Sequence, residues 1–449
     1  MSAVAVAEAA IDAHDSRGGP LAAYKHWHPE GALQAARAVD AALAAGYPAG
    51  PLAGMPLAIK DLFGVAGMPI CAGTPKELPE EWRREGPVVR ALKQAFGVVM
   101  GKTHTVEFAF GPVGTNAHWG APRNPWDANG HRVCGGSSAG AGVSLAEGSA
   151  VIAMGTDTGG SVRIPASVTG QVGLKVAVDR WSVDGIVPLS PSFDTPGPLT
   201  RSAEDAAVAF AVIDPSCSGV DALFARIGDV EAADLRLAVC DEHFWDDCSP
   251  GVAEGVKEAI DELSKTGARV RRIAFPDAGE ARERFFRGGF FGVEGITFVD
   301  DLFPDRAETF DPDVGIRFAQ AREIKATDYF LEMRKVRALA AIAAEKLRHV
   351  DALLTPTVPI TPPLVGEVAD RKGYSRHSVR MTQNTQPVNL LGLCAITLPV
   401  ALDAVGMPVG LQLVGRAGEE ERLLAAALAC ERVLGMGAKR IGTPPLCRN

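Results

Sequence analysis

Short apolar runs recur along the chain: Pro56 to Ile59, Val98 to Gly101, Ala150 to Met154, Leu237 to Cys240, Ala352 to Leu354 and Ala395 to Val400. Runs this brief, continuous rather than alternating, are the pattern of strands buried on both faces. Helical patterns lie between and around them. Over 31–45, Leu33, Ala36, Val39 and Leu43 fall near helical spacing before Gly46, and over 419–433 leucines and alanines recur every three or four positions. Both stretches predict helices, expected at the surface. The apolar run Ala206 to Ile213 suits a buried helix or strand, and no segment reaches the roughly 18 apolar residues of a membrane span. The alternation predicts an α/β fold: a central mixed, largely parallel β-sheet covered by helices on both faces.

Composition changes the picture in three ways. The chain has 449 residues, 47% hydrophobic and 22% charged, enough to bury a large core. Its length alone would fit about three domains of ~150 residues. No repeat, low-complexity tract or Ser/Gly linker marks a boundary, so one domain over 1–449 is the expectation. A formal charge of −9, with no long basic run, argues against nucleic acid or an anionic membrane as partner. Met1 to Asp15 is Ala-rich and acidic, unlike a secretory or transit signal, which predicts a cytoplasmic protein. The eight cysteines show no CxxC pair and no zinc-type spacing, so reduced thiols are expected, with no disulfide and no metal.

Glycine concentrates between Gly135 and Gly160, in the clusters Gly135-Gly136-Ser137-Ser138-Ala139-Gly140 and Gly155-Thr156-Asp157-Thr158-Gly159-Gly160-Ser161. Such loops let backbone N–H groups approach a ligand. Phosphate is one candidate, yet Gly97 to Thr103 has three residues between its glycines where a P-loop needs four, and a strand followed by a turn accounts for it better. Neither serine cluster spells the dinucleotide fingerprint or the GxSxG elbow. The nine histidines sit mostly in polar contexts such as Lys25-His26-Trp27-His28, which suits surface or capping roles better than a general base.

What remains is an ordered constellation. Met55-Pro56-Leu57-Ala58-Ile59-Lys60-Asp61 precedes Gly135-Gly136-Ser137-Ser138, and Asp157-Thr158-Gly159-Gly160-Ser161-Val162-Arg163 follows with its serine 24 positions after Ser137. Arg123-Asn124-Pro125-Trp126, Gly197-Pro198-Leu199, Asp351 to Thr357 and Gly406 to Gln412 add further matches. With these motifs the chain resembles the amidase signature family, well over 54–201 and moderately over 351–431. The helical region 1–50 precedes that core, and 216–348 matches poorly.

The resemblance implies the amidase signature fold, with Ser161 as nucleophile, Ser137 as bridging serine in an unusual cis peptide, and Lys60 as base. The chemistry suits that assignment. A serine hydroxyl is a weak nucleophile until a neighbour takes its proton, and a lysine can take it only when burial has lowered its pKa from about 10.4. Lys60 ends an apolar run that would carry its amine inside; on its own it would read as a strand-end lysine paired with Asp61. Backbone N–H groups of Thr158, Gly159 and Gly160 are expected to form an oxyanion hole. Asp157, Arg163, Ser138 and Thr156 are expected to support the loops without chemistry of their own, and Cys134 to be structural or to line a pocket.

Family resemblance leaves the substrate open. It implies hydrolysis without a cofactor, of amides, anilides, carbamates (urethanes), ureas of biuret type or esters, or glutamine hydrolysis as one component of an amidotransferase. A homodimer is a family-level expectation. The divergent middle carries Phe285, Phe286, Phe290, Phe291, Phe298, Phe303, Phe310, Tyr329 and Phe330. Helix packing is the simpler account of them, and a hydrophobic funnel the functional one. The preferred substrate is an apolar or aromatic small-molecule amide, anilide or carbamate.

Overall fold

The computed structural model of the chain describes residues 1–448. Each predicted apolar run coincides with a strand to within a residue or two, in an eleven-stranded sheet. The strands are β1 (Tyr24–Trp27), β2 (Pro56–Lys60), β3 (Val98–Thr103), β4 (Ile152–Thr156), β5 (Val172–Lys175), β6 (Pro196–Thr200), β7 (Arg236–Val239), β8 (Arg269–Arg272), β9 (Ala352–Pro356), β10 (Cys394–Leu402) and β11 (Pro408–Gly415). Across the sheet they run β1-β3-β2-β4-β6-β5-β10-β11-β9-β7-β8.

The sheet is mixed, as expected, but not mostly parallel. Parallel pairing is confined to β2 with β3 and β4, and to β7 with β8 and β9. The centre, from β4 through β6, β5, β10 and β11 to β9, is antiparallel throughout. A strand covered by helices on both faces is a continuous apolar run whichever way its neighbour points, so the pattern carries no direction.

Helices cover the sheet. The predicted N-terminal helix spans Pro29–Ala44 and packs with Ala3–Leu21 against Val98 and Met100 of β3. The C-terminal one spans Glu420–Leu434 and departs from expectation: Leu423 through Cys430 are all buried, against β10, β11 and the helices Ala203–Ile213 and Val252–Lys265. The eight consecutive residues Leu423 to Cys430 are apolar on every side of the helix, which is the signature of an interior segment, with the charged residues confined to its two ends. The run Ala206 to Ile213 is helical. One hydrophobic core extends from Leu52 to Leu434. No helix among the described residues is long and apolar enough to cross a membrane.

Candidate active site

β2 and β4 are parallel neighbours with Ile59 opposite Met154, so their final residues, Lys60 and Thr156, come side by side at the carboxyl ends. That end of a helix-covered parallel pair is where ligand crevices open. Lys60 is fully buried, and its Nζ lies 2.7 Å from Ser137 Oγ and 2.8 Å from Thr156 Oγ1. Burial pulls the Lys60 ammonium down to about 7, against the opposing pull of Asp194 and Asp157. Burial thus favours the uncharged amine, the form that can accept a proton.

Thr156 does more than hold its loop. Its hydroxyl is one of two that touch the lysine, and only the adjacency of β2 and β4, invisible in either motif alone, brings it there.

Ser137 follows a cis peptide bond from Gly136, as the resemblance implied. The Ser137 carbonyl accepts hydrogen bonds from Val106 N–H and Thr105 Oγ1, both at 3.1 Å. Nothing larger than glycine fits at 136, because a β-carbon there would sit 2.8 Å from the Gly111 carbonyl oxygen and the Gly114 nitrogen. Ser138 Oγ donates to the Thr156 carbonyl at 3.4 Å, tying this loop to the end of β4.

Ser161 lies between β4 and the helix Arg163–Val168, in a loop shaped by one carboxylate. Asp157 Oδ1 accepts from Gly160 N–H at 2.8 Å, and Oδ2 accepts from Val162 and Arg163 N–H. Arg163 closes a bidentate pair with Asp157 at 3.0 and 2.9 Å, both side chains fully buried. Burial works to raise the Asp157 pKa, but the Arg163 charge, helped by Lys175 and Asn389, holds it well below the usual carboxylate range. The remaining guanidinium N–H groups reach Gln412 Oε1, Asn389 Oδ1 and the Thr385 carbonyl. Asn389 and Thr385 lie in no motif; Gln412 closes one but carried no assigned part.

Gly160 therefore departs from expectation: its N–H is committed to Asp157. Among the described residues no acceptor takes the N–H of Thr158, Gly159 or Ser161, so these three donors are uncommitted. The Thr158 hydroxyl donates to Asp194 Oδ1 at 2.5 Å, and Asp194 accepts from Leu189 and Ser190 N–H at 2.9 Å. Burial raises the Asp194 carboxyl to about 6.

A cavity of about 290 Å³ opens over Ser161, Thr158 and Gly159. The divergent middle walls it: Phe285, Phe286 and Phe291 face in, beside Arg317, Gln320 and Ala321. Both accounts of the phenylalanines hold, for different rings. Phe290, Phe303 and Phe318 are core, Phe298 and Phe310 pack against it, and Phe330 is exposed. Gln386 also lines the cavity, with its Oε1 buried and without a hydrogen-bond partner.

Cys134 does not line it. The thiol donates to the Pro122 carbonyl and packs with Leu21, Ala23 and Val143, and burial alone pushes its pKa up. No described histidine lines the cavity either. Among the described residues the one grouping of metal-ligand type, His26, Asp61 and Cys71, already has a cation: Lys102 Nζ lies 3.0 Å from Asp61 Oδ1.

A large mixed sheet carrying two glycine-rich serine loops, one of them open to a cavity, is the architecture of a hydrolase of C–N bonds. The chain belongs to the Amidase family, whose model matches residues 5–424, and is an amide-hydrolysing enzyme. It is 47% identical over 446 residues to the 2-amino-5-chloromuconic acid deaminase of Comamonas testosteroni, covering 99% of this chain and 96% of that one. It is 34% identical to a glutamyl-tRNA(Gln) amidotransferase chain of Salinispora tropica (strain ATCC BAA-916 / DSM 44818 / JCM 13857 / NBRC 105044 / CNB-440), covering 97% of this chain and 94% of that one. The crystal structure of an amidase superposes with a TM-score of 0.85 at 32% identity, covering 97% of each chain.

Proposed function

We propose that the chain cleaves the C–N bond of a small amide-type substrate through an acyl-enzyme on Ser161, with Lys60 as base acting through Ser137. The observation that carries this reading is the buried Lys60 Nζ contact with Ser137 Oγ at 2.7 Å. An uncharged Nζ that donates one N–H to Thr156 keeps its lone pair for the Ser137 proton, and Ser137 in turn takes the proton of Ser161. Ser161 Oγ then attacks the carbonyl carbon. The oxygen that gains charge meets the N–H groups of Thr158, Gly159 and Ser161, each such donor contributing a factor of roughly 10²–10³ in kcat. As the C–N bond breaks, the relay returns the proton to the departing nitrogen, and water repeats the sequence on the acyl-enzyme. Gln386, whose side chain lines the cavity beside Gly159 and whose Oε1 has no protein partner, is the polar group we assign to the nitrogen end of the substrate.

A second reading follows from the 47% relative. If the substrate is an amino-substituted unsaturated acid, its imine tautomer presents a C=N carbon where an amide presents its carbonyl, and the net change is one water taken up and one ammonia released. The amidotransferase reading is weaker, since those relatives stand at 32–35% beside one at 47%.

The test combines labelling with a substrate panel. A fluorophosphonate probe should modify Ser161 and no other serine, and Ser161→Ala should abolish turnover. Amides, anilides, carbamates, ureas, esters, glutamine and an amino-substituted dienoic acid are then ranked by kcat/KM with ammonia or amine release as readout. Full activity of a folded Ser161→Ala or Lys60→Ala protein would overturn the assignment, and a stable heteromer with glutaminase activity would favour the amidotransferase reading.

A further inference from the structure

The cavity over Ser161 belongs to a chain of net charge −9, yet its sole charged lining residue is Arg317. The side chain projects from the helix Pro312–Arg322 and is held on three sides. Its guanidinium stacks over the rings of Phe110 and Tyr374, 5.2 and 5.0 Å from their centroids, and Nη1 donates to the Phe110 carbonyl at 2.9 Å. These contacts fix the plane of the group without neutralising it.

Among the described residues Arg317 has no ion pair. Asp313, one turn earlier on the same helix, is close enough for the Arg317 charge to act on its carboxyl but forms no ion pair with it. Asp311 is turned to the N–H groups of Ala117 and Asp313. Arg371, across from Asp313 on the helix Arg371–Met381, is a further positive charge. Nε and Nη2 of Arg317 make no protein hydrogen bond and are not sealed off. A fixed guanidinium fork with free N–H groups facing an otherwise uncharged, partly aromatic cavity matches the planar, two-oxygen geometry of a carboxylate.

We infer that Arg317 anchors a carboxylate of the substrate, so that the enzyme acts on a C–N bond in a compound that also carries an acid group, and discriminates against its neutral counterpart. This deepens the proposed function and rests on the reading of Ser161 as the attacking group. It adds an acid group to the expected apolar or aromatic substrate: the phenylalanines take the carbon skeleton between an acid end at Arg317 and a nitrogen end near Gln386 and Ser161.

The experiment reads binding apart from turnover. In the Ser161→Ala background, monoamides of four- to six-carbon dicarboxylic acids and the corresponding diamides are titrated by calorimetry, with and without Arg317→Gln. The expected result is tighter binding of at least one acid amide than of its diamide by about 10- to 100-fold, the range for a hydrogen bond to a charged partner. Arg317→Gln should erase that preference, and Arg317→Lys should restore part of it, since it keeps the charge and loses the fork. Equal binding of acid amide and diamide, or a preference that survives Arg317→Gln, would overturn the proposal. Fluorophosphonate labelling of otherwise wild-type protein reports separately on Ser161, so failure of the anchor and failure of the nucleophile give different results.

Discussion

Asp61 directly follows Lys60 in the chain, yet its carboxylate pairs with Lys102, 3.0 Å away, and leaves Lys60 without an acidic partner. The strand ends at Lys60, and the turn that follows directs the Asp61 carboxylate to Lys102 on the neighbouring strand rather than back to Lys60. Lys60 stays buried among hydroxyls, where the uncharged amine is favoured.

The first prediction concerns pH. With its pKa near 7, Lys60 gains the basic form as pH rises, so kcat/KM should climb through an inflection near 7 and level off above it. A lowered lysine pKa favours the deprotonated state, and the rate must fall on the acid side. Lys60→Met should remove the inflection with most of the activity, about 10²- to 10⁴-fold. A flat profile from pH 6 to 8 in the parent enzyme would contradict it.

Thr156 offers a finer test. Thr156→Val keeps the shape and removes the oxygen 2.8 Å from Lys60 Nζ. Since Thr156 does not line the cavity, kcat should fall by about tenfold, corresponding to ~1.4 kcal/mol, with KM little changed. A rise in KM at constant kcat would place its role in substrate binding instead.

Gly160 has φ +128°, and a β-carbon there would come within 2.1 Å of Thr385 Oγ1 and 2.7 Å of Ile164 Cδ1. Gly160→Ala should therefore lower the melting temperature and abolish fluorophosphonate labelling of Ser161. An alanine variant that labels at the parent rate would show that the loop tolerates another backbone path.

Asp157 contributes through charge. Asp157→Asn leaves the Arg163 guanidinium buried and unpaired, a loss of about 3–5 kcal/mol in urea unfolding at pH 7. The folded carboxyl lies below its unfolded value, so its contribution is present above about pH 4 and fades as the pH falls further. The parent and Asp157→Asn stabilities should accordingly converge in acid.

Local signals made much of this legible. Apolar runs located the strands because burial on both faces writes itself into consecutive residues, and the two glycine clusters located both serines. Strand direction was not legible, since a run reads the same either way. β6, Pro-Gly-Pro-Leu-Thr, does not look like a strand at all, and β8, Arg-Val-Arg-Arg, is an exposed edge with no apolar pattern to find. The choice between a structural and a pocket-lining Cys134 was not legible, because its position beside Gly135 and Gly136 says nothing about which side of the loop it faces; the structure makes it structural. Arg317 was missed for a similar reason: a helical arginine announces a charge, and only the packing of three distant segments decides whether that charge meets water, an acid or a cavity.

The hydrogen bonds around Arg163 join Asp157 to Thr385, Asn389 and Gln412, residues more than 200 positions later in the chain. During synthesis Ser161 emerges long before the partners that shape its loop. A chain ending ahead of Thr385 carries Ser161 but none of the three late partners of Arg163, so the order of its loop depends on the sequence from Thr385 onward.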